Sequence, residues 1–170
     1  NSTYITNLKD PTNNQDAATK YYVDTIAQGL HVHQAAYVAT TGTLDSATGG
    51  TVSYNNGASG VGANLVTTGT FLLIDGANVQ TVGTRILVKD EANAAWNGIY
   101  TYANTTTIVR ATDADEYGPD STTQLSVNDY FFTTGGSANE GHAFIVSAPA
   151  GTITFGTSNI SFAEFSRSIV

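Results

Sequence analysis

Short segments rich in Val, Ile, Thr, Tyr and Phe recur through most of the chain, separated by clusters of Gly, Asn and Asp. Such segments are typical of β-strands with turns between them. After residue 34 no stretch shows the spacing of apolar residues of an amphipathic helix over enough residues to predict one. The sequence therefore predicts a mainly β head domain over residues 34–170, folded as an antiparallel β-sandwich or barrel-like head. The predicted strands are Gln34–Thr40, Thr51–Tyr54, Thr70–Asp75, Arg85–Lys89, Ile99–Ala103, Thr107–Ala111, Asp129–Thr134, Ala143–Ala148, Thr152–Phe155 and Ile160–Phe165.

Four segments carry more specific expectations. Arg85–Lys89 is apolar at successive positions, which predicts a strand buried on both faces. In Thr152–Phe155 apolar and polar residues alternate, which predicts a strand with one buried face. Gly42–Gly69 and Asp113–Val127 are rich in small, polar or acidic residues and are predicted to be long loops. Loops of this length are usually functional in compact domains.

The composition narrows the classes of partner. Six basic residues stand against 14 acidic ones, giving a net charge of -8. This argues against a nucleic-acid groove, against docking on anionic membranes and, with no long apolar run, against membrane insertion. The chain has no cysteine, which excludes disulfides and thiolate chemistry. It also has no methionine, which predicts a segment cut from a longer polypeptide.

A short amphipathic helix is predicted before the β segments, from about Asp16 to Leu30. Its apolar positions follow the spacing of a heptad stripe and are Thr19, Val23, Ile26 and Leu30. A helix of about four turns is marginal alone in water and needs a partner. The residues alone leave two partners open: the chain's own β domain, or two further copies around a threefold axis.

Several short blocks occur together in the chain. They are DPTNNQDAATKYYVD at Asp10–Asp24, RILVKD at Arg85–Asp90, NGIY at Asn97–Tyr100, RATDAD at Arg110–Asp115 and ISFAEF at Ile160–Phe165. In their residues and in their order along the chain, they resemble blocks of bacteriophage tail fibre and virion fibre structural proteins. The resemblance covers most of the chain from residue 10 to residue 165 and is weakest over Gly42–Gly69.

This resemblance implies a homotrimeric fibre on a virion, located outside the cell, and it favours the threefold helical stalk over residues 1–33. The function it implies is attachment to a host-cell receptor, a glycan or a protein, without catalysis. The implied partners are two further copies of the chain, the host receptor and other virion fibre proteins. An architectural fibre segment is the alternative, and a polysaccharide-degrading domain is a more distant one, because no nucleophile–base pair or carboxylate pair is recognisable.

Two groups of residues are candidate metal ligands, although no cofactor is expected. His31 and His33 lie on one face of an extended segment, and in a trimer they would supply imidazoles for a transition metal on the axis. The alternative is two packed or exposed histidines. Asp113 and Asp115 lie in an acidic loop where carboxylates could bind calcium, but the spacing fails the EF-hand pattern, and a solvated turn is the alternative.

Two aromatic residues in predicted loops are candidate receptor contacts. Trp96 and Tyr117 would each offer a flat apolar face to a sugar or a protein. The alternative is that the rings cover the domain's own core.

Overall fold

The computed structural model describes residues 31–119 and 121–166, which fall within one compact unit, His31–Val170. Its described part is mainly β, with one α-helix, α1 (Leu44–Thr48), and a 3₁₀ helix at Ala94–Trp96. The strands are β1 (His31–Val32), β2 (Val38–Ala39), β3 (Val52–Asn55), β4 (Asn64–Thr67), β5 (Leu73–Ile74), β6 (Ala77–Asn78), β7 (Arg85–Val88), β8 (Gly98–Asn104), β9 (Thr107–Arg110), β10 (Asp129–Phe132), β11 (Ala143–Ala148) and β12 (Ser161–Ser166).

The largest sheet has six strands in the order β2-β7-β8-β9-β4-β3. All four residues of β7 are buried, which confirms the prediction of a strand covered on both faces. Because side chains alternate along a strand, Ile86 and Val88 face one apolar cluster and Leu87 faces another. A layer of packed side chains therefore lies on each side of this sheet.

The second sheet has four strands in the order β1-β10-β11-β12, and β5 and β6 form a separate hairpin. One apolar cluster joins the four-stranded and six-stranded sheets through residues such as Phe131, Phe144 and Ile99. The other lies between the six-stranded sheet, α1 and the β5–β6 hairpin and includes the fully buried Phe71 and Leu44.

The prediction of purely antiparallel pairing was wrong. β1 pairs with β10 in parallel, β2 pairs with β7 in parallel, and an isolated parallel bridge joins Ala36 to Thr133. β1 and β2 belong to one short stretch of chain that passes from the four-stranded sheet to the six-stranded sheet. Their partners lie far away in sequence, so no hairpin turn forces an antiparallel arrangement. Within the described residues the sheets close into neither a sandwich nor a barrel.

Gly42–Gly69 is not the long loop that its composition predicted. It contains α1 and the antiparallel pair β3–β4. Thr43 caps α1 through its side chain, and Gly49 ends the helix in a left-handed conformation. Because β3 is the outermost strand of its sheet, it buries few side chains, so a composition poor in apolar residues still forms a strand.

Thr152–Phe155 does not form the predicted strand, although Ile153 and Phe155 are buried as its alternation indicated. The backbone of Thr154 forms the hydrogen bonds of a local turn instead. Its N–H donates to the Ser158 hydroxyl at 2.8 Å, and its carbonyl accepts from the amides of Thr157 and Ser158. Local side-chain bonds of this kind compete with strand pairing.

The outer face of the four-stranded sheet is apolar. Strand registers place Val32, Tyr130 and Ile145 beside one another, with Phe132 and Phe165 on the same face. Val32 is 63% exposed and Phe165 is 56% exposed, and the rings of Tyr130 and Phe165 meet edge to face at 5.6 Å.

No helix among the described residues is long and apolar enough to cross a membrane.

The predicted stalk and its stripe, Thr19, Val23, Ile26 and Leu30, lie outside the described residues, and no coiled coil is present in the part of the chain that the structure describes. The trimeric stalk therefore stays a prediction. Residues 31–33, which the sequence assigned to the stalk, belong with the four-stranded sheet: His31 and Val32 pair with β10, and the amide of His33 donates to the Tyr130 carbonyl.

Candidate functional site

A groove of about 300 Å³ opens where the β3–β4 connection meets the acidic loop and the segment before β12. Its floor contains the buried side chains of Ile153 and Phe155, and its rim carries exposed polar side chains. Three segments that are distant in sequence therefore build one surface feature. The lining residues are Ala58, Ser59, Val61, Glu116, Tyr117, Ile153, Thr154 and Phe155.

The first wall of the groove is a tight turn in the β3–β4 connection. Ala58 and Val61 pair across it, and Gly60 has a φ of 115°, a conformation that side-chain-bearing residues rarely adopt. A Cβ at Gly60 would also collide with the Asp115 carbonyl and the Phe155 ring. This wall is fastened to the floor by the Asn56 amide, which donates to the Phe155 carbonyl at 2.9 Å.

The second wall is held by backbone bonds across the acidic loop. The amide of Leu125 donates to the Glu116 carbonyl at 2.8 Å, and the amide of Gly118 donates to the Leu125 carbonyl at 3.3 Å. Leu125 itself is fully buried in the apolar cluster between the sheets. Glu116 and Tyr117 are thus fixed in position. The Glu116 side chain is exposed, whereas the half-buried Tyr117 ring packs against the apolar cluster between the sheets and lines the groove as well.

The polar side chains of the rim are available to a ligand. Ser59, Glu116 and Thr154 are exposed and Tyr117 is half-buried. Among the described residues, none of these four side chains forms a hydrogen bond or an ion pair. The groove therefore combines an aromatic wall with one carboxylate and three hydroxyls, a set suited to a polyhydroxylated ligand.

A buried arginine supports the floor. Arg110 is 1% exposed, and its guanidinium lies 4.9 Å from the Phe155 ring centre and 4.8 Å from that of Tyr100. It donates to the Asn97 carbonyl at 3.0 Å and to the Tyr54 hydroxyl at 3.3 Å. Stacking and hydrogen bonds together hold this cation in the interior, beneath the groove.

A second polar cluster lies within the four-stranded sheet, where β1 pairs with β10. His33, only 4% exposed, directs Nδ1 at Asp113 at 3.3 Å and Nε2 at Asp129 at 2.9 Å. His31 Nδ1 lies 3.2 Å from Asp129, and Arg85 forms a bidentate pair with Asp113 at 2.8 and 3.0 Å. Carboxylates only accept hydrogen bonds, so this geometry is satisfied fully when His33 is protonated on both nitrogens.

Ionisation in this cluster follows its geometry. Burial by itself would lower the pKa of His33, but its hydrogen bonds to the Asp113 and Asp129 carboxylates and their negative charges outweigh burial, so the pKa is raised above 6.5. Burial would likewise raise the pKa of Asp113, yet His33 and Arg85 hold it at about 2. The cluster therefore favours charged forms of both groups and ties β1 to the sheet.

The residues considered as metal ligands lie in this cluster or next to it. His31 and His33 do lie on one side of their segment, since both reach Asp129, but that side faces into the protein. Asp113 is paired with Arg85, and Asp115 is buried, with a pKa raised chiefly by burial. Among the described residues, no group of three or more acidic or histidine side chains is placed to hold a metal ion.

The two candidate receptor aromatics have different settings. Tyr117 is half-buried, packs against the apolar cluster between the sheets, and lines the groove. Trp96 is half-buried, packs against the apolar cluster beside α1, and stacks on Tyr54 at 5.8 Å. Both rings therefore cover an apolar cluster, and Tyr117 differs from Trp96 in that it also lines the groove.

Sequence reasoning did not identify the residues that line the groove beside Tyr117, or the carboxylate that pairs with His31 and His33. Ser59 and Thr154 gave no signal, because their closeness to Tyr117 depends on the fold. Asp129 did carry a signal: it precedes Phe131 by two residues, so strand periodicity places both on the buried face. A carboxylate there requires donors, which the two histidines provide.

Comparisons with protein-family models, with curated proteins and with solved structures find no match to this chain.

Proposed function

We propose that this chain is a host-attachment domain of a bacteriophage fibre, non-catalytic, which binds a glycan of the host surface at the groove lined by Tyr117. The observation that carries the proposal is the groove itself. It joins an aromatic wall, an apolar floor and open hydroxyl and carboxylate groups on a fixed frame.

The chemistry of sugars matches these groups. The C–H face of a sugar ring packs on an aromatic side chain, and its hydroxyls exchange hydrogen bonds with carboxylates and hydroxyls. A volume of about 300 Å³ lies at the small end of ligand sites, which suits one sugar unit of a longer chain. The sequence blocks that resemble phage fibres supply the biological setting: the outside of a virion.

The same groove supports binding rather than cleavage. Glycoside hydrolysis requires two carboxyl groups flanking the scissile bond. Among the described lining residues Glu116 is the one acidic side chain. A polysaccharide-degrading role therefore has no observation in its favour.

Binding of the full chain to immobilised bacterial surface polysaccharides and to host cells tests this proposal. Tyr117→Ala should weaken binding by at least tenfold, because aromatic anchors commonly contribute more than about 1.4 kcal/mol. Tyr37→Ala is the matched control, since Tyr37 is exposed and does not line the groove. If the two variants bind alike, the groove is not the receptor site.

A second candidate, an architectural fibre segment, is favoured by the apolar outer face of the four-stranded sheet. We propose that two further copies of the chain cover this face in a homotrimer. The exposed positions Val32, Phe132 and Phe165 carry no charge, so packing them against another copy removes apolar surface from water without burying a charge at these positions.

The mass of the full chain in solution tests this assembly. Phe132→Ser should shift a trimer toward monomer, whereas Val82→Ser, at a 76% exposed position outside the sheet, should leave the mass unchanged. A trimer that forms normally but binds no host surface would favour the architectural role. A monomeric wild type would exclude the trimer.

A further inference from the structure

We infer that the groove discriminates by charge: it takes uncharged or amino-bearing sugars and rejects acidic ones such as hexuronates and sialic acids. This inference rests on the proposed function, since it specifies the ligand class of the same groove.

The rim presents negative charge without a cation to balance it. Glu116 is exposed and open at the groove, and no Lys, Arg or His is among the described residues that line it. A carboxylate accepts hydrogen bonds from sugar hydroxyls or from an ammonium group, but it has no proton to offer an acidic sugar. An acidic substituent placed at this rim would meet Glu116 with no compensating donor.

Arg110, the cation beneath the floor of the groove, cannot serve an acidic ligand. Arg110 contacts the Phe155 ring from inside the protein and is 1% exposed, so its guanidinium does not reach the groove. Its hydrogen bonds go to the Asn97 carbonyl and the Tyr54 hydroxyl. The neighbouring buried Asp115 also offsets its charge, and the two groups influence each other electrostatically.

The rest of the chain strengthens the same preference. Its net charge of -8 gives a negative field at long range, which repels acidic polymers and attracts basic ones at low ionic strength. Local and global charge therefore act in the same direction. The three hydroxyl-bearing rim residues, Ser59, Tyr117 and Thr154, are neutral and serve all sugars alike.

A glycan array carrying neutral hexose, hexosamine and hexuronate oligosaccharides, probed with the full chain, tests the inference. Neutral and amino sugars should give the bound set, with acidic analogues of the same length weaker by about fivefold or more at low salt. Glu116→Gln should narrow the ratio of hexosamine binding to hexuronate binding by about two- to fivefold, a ratio that does not depend on the hydrogen bonds that both sugars lose. Glu140→Gln is the control, because Glu140 is exposed and does not line the groove.

Each outcome has a distinct meaning. Hexuronates bound as tightly as neutral sugars, or a gap that Glu116→Gln leaves unchanged, would overturn the charge selection while leaving glycan binding in place. No binding to any sugar would overturn the proposed function and the selection with it. Binding that persists in Tyr117→Ala would place the site elsewhere on the molecule.

Discussion

Replacing Asp129 by asparagine should destabilise the fold by about 3 kcal/mol. Asp129 is fully buried, and each of its oxygens accepts two hydrogen bonds. Oδ1 accepts from His31 Nδ1 at 3.2 Å and from the Ser126 hydroxyl at 3.3 Å. Oδ2 accepts from His33 Nε2 at 2.9 Å and from the Ser126 amide at 2.9 Å.

An asparagine amide can keep an oxygen at only one of these two positions, and its NH₂ group then faces two donors at the other. Two hydrogen bonds to a charged acceptor are lost, each contributing about 1.5 kcal/mol or more. The protonated His33 also loses one of its two carboxylates inside the protein, which adds to the cost. For a chain of 170 residues, this corresponds to a fall in melting temperature of about 6–12 °C.

Urea unfolding followed by the fluorescence of Trp96, the single tryptophan, measures the effect. Glu140→Gln makes the same chemical change at an exposed position and should alter the free energy of unfolding by less than about 0.5 kcal/mol. If Asp129→Asn unfolds within that same margin of the wild type, the buried cluster does not hold β1 to the sheet and the reasoning fails.

Three further predictions concern the same fold. Because the pKa of His33 is raised above 6.5 and that of Asp113 is lowered from 3.8 to about 2, their stabilisation is fully present between pH 3.8 and 6.5. Melting temperature should fall as pH rises above this window and should fall less in His33→Gln; equal slopes would contradict the prediction. Gly60→Ala should lower the free energy of unfolding, measured in urea, by about 1–2 kcal/mol or more, because the φ of Gly60 is 115° and other atoms fill the space that the added Cβ needs. Gly42→Ala is the control and should not lower it, because nothing lies within 4 Å of its added Cβ. Arg110→Lys should cost about 2–3 kcal/mol, since an ammonium cannot reproduce the planar stacking and both hydrogen bonds; a loss below about 0.5 kcal/mol would refute this.

The parts of the fold that sequence reasoning could predict were those set by local side-chain periodicity. Arg85–Lys89 was recognised as a doubly buried strand because its apolar run contains no polar face. Ala143–Ala148 was predicted with the bounds that the structure gives. By contrast, the parallel pairing of β1 and β2 depends on contacts across long sequence separations, which no local pattern encodes.

The candidate site was predictable only in part for the same reason. Tyr117 was predicted as a receptor contact because an aromatic residue in a loop offers a flat apolar face to a ligand. Its neighbours Ser59 and Thr154 come from segments about 40 to 60 positions away, and hydroxyl residues are too common in this chain to single out. Trp96 is also an aromatic in a predicted loop, and the two rings differ only in the fold, which places Tyr117 and not Trp96 at the groove.

The arrangement of β1 and β12 determines how the domain carries tension. These strands form the two edges of one sheet, with β10 and β11 between them. β1 is parallel to β10, and the two antiparallel steps from β10 through β11 make β12 run in the same direction as β1. His31 at the start of β1 and Ser166 at the end of β12 therefore lie toward opposite ends of the sheet.

A pull between His31 and Ser166 would load the strand-to-strand hydrogen bonds side by side, in shear, rather than opening them one after another. The bonds of His31 and His33 to Asp129 would share that load at the weakest edge, where β1 contributes only two paired residues. The chain continues from β1 into β2, which is one edge of the six-stranded sheet, and β4 and β3 lie at the other edge of that sheet. Tension that enters along β1 would therefore load the pairing of β2 with β7 before it reached the β3–β4 wall of the groove.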